Sequence, residues 1–132
     1  MNALQHWFEE VWNKQNAAAI DELWVPEKTV HGLAAEYGKQ VNSKAQFKDF
    51  HKQFCSAFPD IHIAIEDILT EGDKTALRVL VTGTHTGPGF PAVPKGKHVS
   101  FQGICIGRIK NGKIIESWNN FDFMTMYKQM EE

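Results

Sequence analysis

The feature that most constrains the fold is a change in the spacing of hydrophobic residues at residue 60. Before it, four phenylalanines recur at helical spacing and form one apolar stripe: Phe47, Phe50, Phe54 and Phe58. Pro59 ends that helix, because proline cannot continue the helical hydrogen bonds. After it, Ile61, Ile63 and Ile65 alternate with other residues, which is typical of a β-strand. A helix with so broad an apolar face must cover a large surface, and the sheet that begins here is the natural partner.

Periodicity, capping residues and turns predict the remaining elements. The helical half should contain three helices and one short strand, Thr29–His31; Asn16 is the expected N-cap of the second helix, and Ser43 with Gln46 forms a capping box for the third. Four antiparallel strands are expected at residues 61–70, 75–86, 98–110 and 113–121, and a last helix at 123–132. This order predicts an α+β fold, with helices packed on one curved sheet in a single domain over residues 1–132.

Charge and composition argue against several classes of function. The net charge of −2 gives no basic surface for nucleic acid or for an anionic membrane. No apolar run approaches the roughly 20 residues of a membrane span, and the acidic, amphipathic amino terminus is not a secretory signal. The histidines form no metal-binding motif, and the chain has no GxGxxG or P-loop motif, so no metal or cofactor is expected. Cys55 and Cys105 are expected to be buried thiols of a reduced, cytoplasmic protein.

Two turns predict how the strands pair. A turn centred on Gly72 and Asp73 places Asp67 opposite Arg78 as a surface ion pair. The Asn-Gly turn at residues 111–112 leaves little freedom in the last hairpin and places Ile104 opposite Asn119. On this register six residues share one largely apolar face: Gln102, Ile104, Ile106, Ser117, Asn119 and Phe121.

The opposite face of the last hairpin is no more polar than the first. It carries Trp118 beside Cys105, so Trp118 belongs either to the core or to an interface. An antiparallel sheet normally exposes one face to water. We therefore expect helices and a pocket on one side of the sheet, and a second copy of the chain on the other side in a homodimer.

Several short motifs carry a resemblance to a known family. They are Phe58-Pro59-Asp60, Glu71-Gly72-Asp73, Thr82 to Gly87, Arg108, Gly112-Lys113-Ile114 with Glu116, and Trp118 with Asp122. With these motifs the chain resembles, over roughly residues 1–130, the SnoaL-like polyketide cyclases, also called ester cyclases. The resemblance implies the NTF2-like (cystatin-type) fold, a curved antiparallel sheet wrapped around helices as a cone with an apolar cavity, and a dimer formed through the sheet.

The resemblance also implies a chemistry. Characterised members close a polyketide ring by intramolecular aldol condensation without metal or organic cofactor, and a cavity aspartate acts as general acid and base. Here Asn119 stands at that aspartate's position, Gln102 matches a glutamine on the neighbouring strand, and Ile104 replaces a histidine. Asparagine cannot transfer a proton at neutral pH, so a proton carrier would have to come from elsewhere. Asn119 and Gln102 could still hydrogen-bond a carbonyl or an enolate oxygen.

Three other side chains are candidates for proton transfer. His31 follows the short strand near the expected mouth of the pocket. His85 ends a strand, where a structural hydrogen bond at the cavity rim is the plainer role. Asp122 precedes the last helix, where its plainer role is N-cap. The residues expected to line the cavity and contact a ligand are Ile104, Phe121, Ser117, Phe54, Phe50 and His85.

Two classes of function fit this sequence. The first is a cofactor-free cyclase, isomerase or hydrolase acting on a small hydrophobic carbonyl compound. The second is a non-catalytic module that binds an apolar metabolite or serves as a dimeric scaffold. An enzyme should hold a titratable group at the polar centre of its pocket, with the pKa moved toward neutrality. A pocket with only amides and hydroxyls would favour the binding module.

Overall fold

The chain folds into four α-helices and one five-stranded sheet, and the computed structural model describes all 132 residues. The elements are α1 (Ala3–Trp7), α2 (Ala17–Leu23), β1 (Thr29–His31), α3 (Lys44–Ala57), β2 (His62–Glu71), β3 (Lys74–His85), β4 (Lys97–Lys110), β5 (Lys113–Phe121) and α4 (Phe123–Glu131). A π-helical segment, Phe8–Asn13, continues α1 and was not predicted. The predicted α+β fold is confirmed. No helix is both long enough and apolar enough to cross a membrane.

The five strands form one curved sheet in the order β1-β5-β4-β3-β2. Strands β2 to β5 are antiparallel neighbours, as predicted, whereas β1 runs parallel to β5 at the edge, with Val30 beside Ser117. The predicted pair of Asp67 and Arg78 is confirmed by a distance of 2.7 Å between Oδ2 and Nε. The parallel pairing of β1 brings the segment that precedes it next to the last strand of the chain.

Side-chain hydrogen bonds explain where the helices begin. Ser43 and Gln46 form the predicted capping box at the start of α3, and Asn16 caps α2. Asp122 accepts hydrogen bonds from the backbone nitrogen of Thr125 at 3.1 Å and from its hydroxyl at 2.6 Å. The prediction that Asp122 caps the last helix is therefore confirmed.

The predicted register of the last hairpin is wrong beyond the pairs next to the turn. The turn itself is as predicted, since Asn111 and Gly112 have the positive φ angles, 53° and 74°, of a type I′ turn. A β-bulge follows it: the pairing shifts by one residue between Ile109 and Arg108, and Ile115 is the extra residue on β5. A two-residue turn therefore controls the register only as far as this bulge.

The bulge changes which residues of β4 and β5 share a face. Asn119 pairs with Cys105 instead of Ile104. Ser117 and Asn119 consequently lie on the inner face of the sheet, toward the helices, together with Cys105. Gln102 and Ile104 lie on the outer face, where both are exposed.

The helices pack against the inner face of the sheet. All four phenylalanines of the predicted stripe are buried, and Trp12 of the π-helical segment meets three of them at centroid distances of 6.0 to 6.1 Å. The neighbouring Asn13 binds β2, where its side chain accepts from the nitrogen of Ile63 at 2.7 Å and donates to its oxygen at 2.9 Å. On the outer face, Leu69 is 72% and Ile104 51% exposed.

Candidate functional site

The candidate site is an apolar pocket between the inner face of the sheet and the helices. Its volume is about 50 Å³, and 18 of its 21 lining residues are hydrophobic. The aromatic members are Trp7, Phe8, Trp12, Trp24, Phe47, Phe50, Phe54, Phe101, Phe121 and Phe123. The three exceptions in the lining are Lys28, Ser117 and Asn119, and we call these three residues the polar centre.

Asn119 ties β1 to β5 through its side-chain amide. Its Nδ2 donates to the backbone oxygen of His31 at 3.0 Å and to Oγ of Ser117 at 3.3 Å. Only the NH₂ end of an amide can donate to a carbonyl, so this contact determines the orientation of the amide. The two strands approach closely here: Gly32 has a φ of 72°, and a Cβ at that position would lie 2.5 Å from the backbone oxygen of Asn119. The amide nitrogen is therefore engaged in structure, and Oδ1 is the end left for a ligand.

Lys28 is the only charged residue of the lining. It precedes β1 and has the same parity as Val30, which directs its side chain toward the inner face. Its Nζ lies 3.8 Å from the ring centroid of Trp7 and 4.4 Å from that of Trp24. Burial lowers the pKa of Lys28 from 10.5 to about 8. The ammonium forms no ion pair within the chain.

The second titratable group of the lining is the thiol of Cys105. Burial raises the pKa of this thiol to about 12, an effect that the positive charge of Lys28 partly opposes. The thiol is therefore protonated at neutral pH and is a poor nucleophile. Both cysteines are free, and Cys55 is only partly buried.

Gln102, Ile104 and Asp122 lie outside the pocket, in an open groove on the outer side of the sheet. The prediction that Gln102 and Ile104 line the pocket is wrong, because the bulge at Ile115 turns them to the other face. The carboxylate of Asp122 is engaged in the helix cap, and the hydrogen bonds of Thr125 hold the pKa of Asp122 below its ordinary value.

The ring of His31 also faces the outer side. It stacks on Trp118, with centroids 5.5 Å apart and planes inclined by 20°, and its Nε2 lies 2.8 Å from Oε2 of Glu116. Arg108 contacts the other oxygen of Glu116 at 3.4 Å. These contacts, led by the one with His31, hold the pKa of Glu116 below its ordinary value. Only the backbone carbonyl of His31 reaches the polar centre.

His85 is completely buried and does not line the pocket. Its ring packs against Phe58 at a centroid distance of 5.4 Å, and neither ring nitrogen has a hydrogen-bond partner. The expected structural hydrogen bond is therefore absent. Burial lowers the pKa of His85 below 6.5, so the imidazole is neutral in the folded protein at neutral pH.

Five residues selected from the sequence do lie in the pocket lining: Phe50, Phe54, Ser117, Asn119 and Phe121. Their contact with a ligand stays a prediction. Sequence reasoning missed Lys28, because the short segment between Pro26 and β1 has no motif, and it did not place Trp7 and Trp24 in the pocket. The one available signal was the parity of Lys28 with Val30. No group of three or more potential metal ligands comes together in the structure.

A curved sheet around helices, with an apolar pocket on its inner face, defines an NTF2-like protein. The same fold is present in a protein of Catenulispora acidiphila with a ketosteroid isomerase-like fold, solved in complex with trimethylamine; that structure has 13% identity and a TM-score of 0.75, and the match covers 98% of this chain and 92% of that one. Residues 2–130 match the SnoaL-like polyketide cyclases, and the chain belongs to this family.

Several solved structures are similar over nearly the whole chain. AclR of Streptomyces galilaeus, a candidate hydroxylase, has 26% identity and a TM-score of 0.83, covering 98% of this chain and 79% of that one. A candidate polyketide cyclase of Bacillus cereus has 28% identity and a TM-score of 0.80, covering 98% and 78%. IdmH of Streptomyces antibioticus, also a candidate polyketide cyclase, has 24% identity and a TM-score of 0.81, covering 98% and 96%. No protein with a curated description matches the sequence. A shared fold does not by itself name the reaction.

Proposed function

We propose that the pocket binds a small, mainly hydrophobic carbonyl compound and that the protein catalyses its cofactor-free cyclisation or isomerisation. The observation that carries this proposal is an apolar lining interrupted only by Lys28, Ser117 and Asn119. Such a lining buries a hydrophobic body and leaves a few polar groups to orient its carbonyl. Membership of the SnoaL-like polyketide cyclase family supports a reaction of this kind.

The polar centre suits the stabilisation of an enol or enolate oxygen. That oxygen needs hydrogen-bond donors or a positive charge, which Ser117 and Lys28 can provide. Asn119 contributes less as a donor than the sequence suggested, because its Nδ2 is already bonded to His31 and Ser117. A volume of about 50 Å³ is smaller than the roughly 150 Å³ of an engineered cavity that binds benzene. The ligand is therefore compact, or the aromatic side chains move to admit it.

The second candidate function is binding without catalysis. It is favoured by one observation: no carboxylate and no imidazole lines the pocket. Asn119, at the position of the family's aspartate, cannot transfer a proton. Lys28 is then the one group of the lining whose pKa is close enough to neutrality to exchange a proton under ordinary conditions.

Proton exchange at carbon distinguishes the two functions. Ethyl acetoacetate is incubated with the protein in D₂O near neutral pH, where part of Lys28 is unprotonated, and loss of the α-proton signal is followed by NMR against the uncatalysed exchange measured without protein. Binding is measured in parallel by tryptophan fluorescence. An enzyme accelerates exchange with saturation, whereas a binding module saturates without acceleration. If neither exchange nor binding is observed, both functions are contradicted for this class of ligand.

Three variants identify the residues responsible. Ser117→Ala should slow any catalysed exchange, and Gln102→Ala, on the outer face, should leave it unchanged. Asn119→Asp restores the family's carboxyl group, and a gain of exchange activity would support a cyclase that has lost its acid. The new carboxylate would face the carbonyl oxygen of His31, so thermal unfolding must show that the Asn119→Asp variant is folded. A folded Asn119→Asp variant without activity would weaken that idea.

We also propose that the outer face of the sheet pairs with a second copy of the chain. An apolar strip crosses four strands in register: Leu69, Ala76, Ile106 and Trp118. The ion pair of Asp67 with Arg78 flanks it on one side, and that of Arg108 with Glu116 flanks it on the other. Each flank therefore carries one positive and one negative side chain. A second copy packed on this face would not bring two surfaces of the same charge together. This supports an isologous contact.

Light scattering tests this dimer. The wild-type chain, of 15.0 kDa, should have twice that mass in solution. Leu69→Lys, in the strip, should shift the equilibrium toward monomer. Val93→Lys is the matched control, since Val93 is also 72% exposed but lies in the loop between β3 and β4. A wild-type monomer would contradict the proposal, and so would equal effects of the two variants.

A further inference from the structure

We infer that Lys28 is the group that selects the ligand, and that the pocket takes a compact organic oxyanion, either a carboxylate or the enolate of a carbonyl compound. The inference rests on the proposed function, because it specifies the charge of the compound bound in the same pocket. Three observations carry it: the placement of the ammonium between two rings, the absence of a counter-ion, and the apolar lining.

Two indole rings from different elements hold the ammonium of Lys28 in the pocket. Trp7 belongs to α1 and Trp24 directly follows α2, and Nζ lies 3.8 Å and 4.4 Å from their ring centroids. A cation is attracted to the negative face of an aromatic ring, and here two rings act on the same amine. The two rings therefore hold the ammonium of the partly buried Lys28 at the pocket lining.

No acidic side chain neutralises this charge. The ion pairs of the chain use other lysines, namely Lys14, Lys39, Lys44 and Lys48, and no aspartate or glutamate lines the pocket. A charge in an apolar site is unfavourable unless it is paired. A ligand oxyanion supplies the missing partner for the ammonium. A neutral ligand would displace water from Lys28 without compensating the positive charge. Although burial lowers the pKa of Lys28 to about 8, most molecules still carry the ammonium at neutral pH.

Lys74 shows that a lysine near a tryptophan does not by itself make a site. Its Nζ lies 5.2 Å from the ring centroid of Trp118, but on the outer face of the sheet, where Lys74 is exposed to water. The distinguishing feature of Lys28 is the apolar pocket into which its charge is directed. Lys74 is therefore a matched control.

A lysine that lines an apolar pocket could instead form an imine with a carbonyl compound. The neutral amine would attack the carbonyl carbon, and water would leave after proton transfer. That departure needs an acid, and the pocket holds neither a carboxyl group nor an imidazole. The surroundings therefore favour an electrostatic role for Lys28, and reduction with borohydride distinguishes the two.

Binding of matched small molecules to the full chain tests the inference. Acetoacetate carries a carboxylate, acetoacetamide has the same number of heavy atoms without that charge, and acetylacetone provides an oxyanion only as its enolate. Dissociation constants are measured by calorimetry and by the fluorescence of the tryptophans. The proteins are the wild type, Lys28→Met, Lys28→Arg and Lys74→Met. Thermal unfolding confirms that each variant is folded.

The wild type should bind acetoacetate roughly tenfold or more tightly than acetoacetamide, as expected of one charge-assisted hydrogen bond. Lys28→Met should lose this preference, Lys28→Arg should keep part of it, and Lys74→Met should keep all of it. If bound acetylacetone shows enolate absorbance with the wild type but not with Lys28→Met, the pocket also binds an enolate as its oxyanion.

Other results would overturn the inference. Equal binding of acetoacetate and acetoacetamide would contradict the role of Lys28 without contradicting the proposed function. A preference for acetoacetate that is retained in Lys28→Met would have the same consequence. A borohydride-stable adduct on Lys28 would replace the electrostatic role with an imine. If the folded wild type binds none of the three compounds, both the inference and the proposed carbonyl ligand are contradicted.

Discussion

Replacing Lys28 with methionine should make the protein more stable. The change removes the charge but keeps an unbranched side chain between Trp7 and Trp24, and methionine sulfur packs well against aromatic rings. Burial lowers the pKa of Lys28 from 10.5 to about 8. At about 1.4 kcal/mol per pKa unit, the buried charge costs roughly 3 kcal/mol when the folded and unfolded states are both protonated.

The two contacts with tryptophan act in the opposite direction. Each cation–π contact is worth roughly 0.5 to 1 kcal/mol at a partly exposed site, so Lys28→Met should gain about 1 to 2 kcal/mol at pH 7. For a chain of this size that corresponds to an increase in Tm of roughly 3 to 10 °C. The control Lys74→Met removes an exposed charge and should change the free energy of unfolding by less than about 0.5 kcal/mol.

The pH dependence gives this prediction a specific signature. Between about pH 8 and pH 10.5 the unfolded Lys28 still binds a proton and the folded one does not, so wild-type stability rises with pH in that window. The advantage of Lys28→Met should be full at pH 7 and should shrink as the pH approaches 10. The assay is denaturant unfolding of both proteins at the two pH values. A variant less stable than the wild type at pH 7, or a difference that does not depend on pH, would refute the reasoning.

Three further changes have expected outcomes. His85→Leu should reduce the loss of stability on acidification, because the imidazole stays neutral in the folded protein but is protonated below pH 6.5 in the unfolded chain. Acid titrations of wild type and variant followed by circular dichroism measure this difference, and identical curves would contradict it. Gly87→Ala should cost roughly 2 to 3 kcal/mol in denaturant unfolding, because the new Cβ would lie 1.9 Å from the backbone oxygen of Ser56. Gly38→Ala, with a φ of 78° and no atom within 4 Å, is the control for Gly87→Ala and should lose only about 1 kcal/mol. Asp122→Ala should lower Tm by an amount equivalent to about 1 kcal/mol through loss of the cap, whereas Asp122→Asn should restore most of it.

Lys28 also shows why the polar centre could be predicted only in part. Ser117 and Asn119 stood out in the sequence because they alternate on a strand that contains several apolar residues. Lys28 gave only its parity with Val30 as a signal, because the parallel pairing that places Val30 beside Ser117 is a contact between distant parts of the chain. Trp7 and Trp24 reach the same amine from two further elements. Contacts of this kind depend on how elements pack and leave no periodic pattern.

The sequence by itself determined the order of the helices and strands and most of their ends, although not the π-helical segment Phe8–Asn13. The capping box of Ser43 with Gln46, the cap by Asp122 and the turn at residues 111–112 each depend on residues at most three positions apart. Such interactions form in the local chain, and the change of hydrophobic period at residue 60 marks the boundary between helices and sheet. For these reasons the α+β order was predictable.

Only the tertiary structure decided which face of the last hairpin forms the pocket. Alternation of apolar and polar residues selects one strand register when one face is apolar and the other polar. Both faces of β4 and β5 carry apolar residues, so their sequences are compatible with two pairings that differ by one position. The bulge at Ile115 makes that shift, turning Gln102 and Ile104 outward and placing Asn119 beside Cys105. The composition of the site therefore depends on the bulge at one residue, Ile115, and the packing of the whole sheet determines that the bulge forms there.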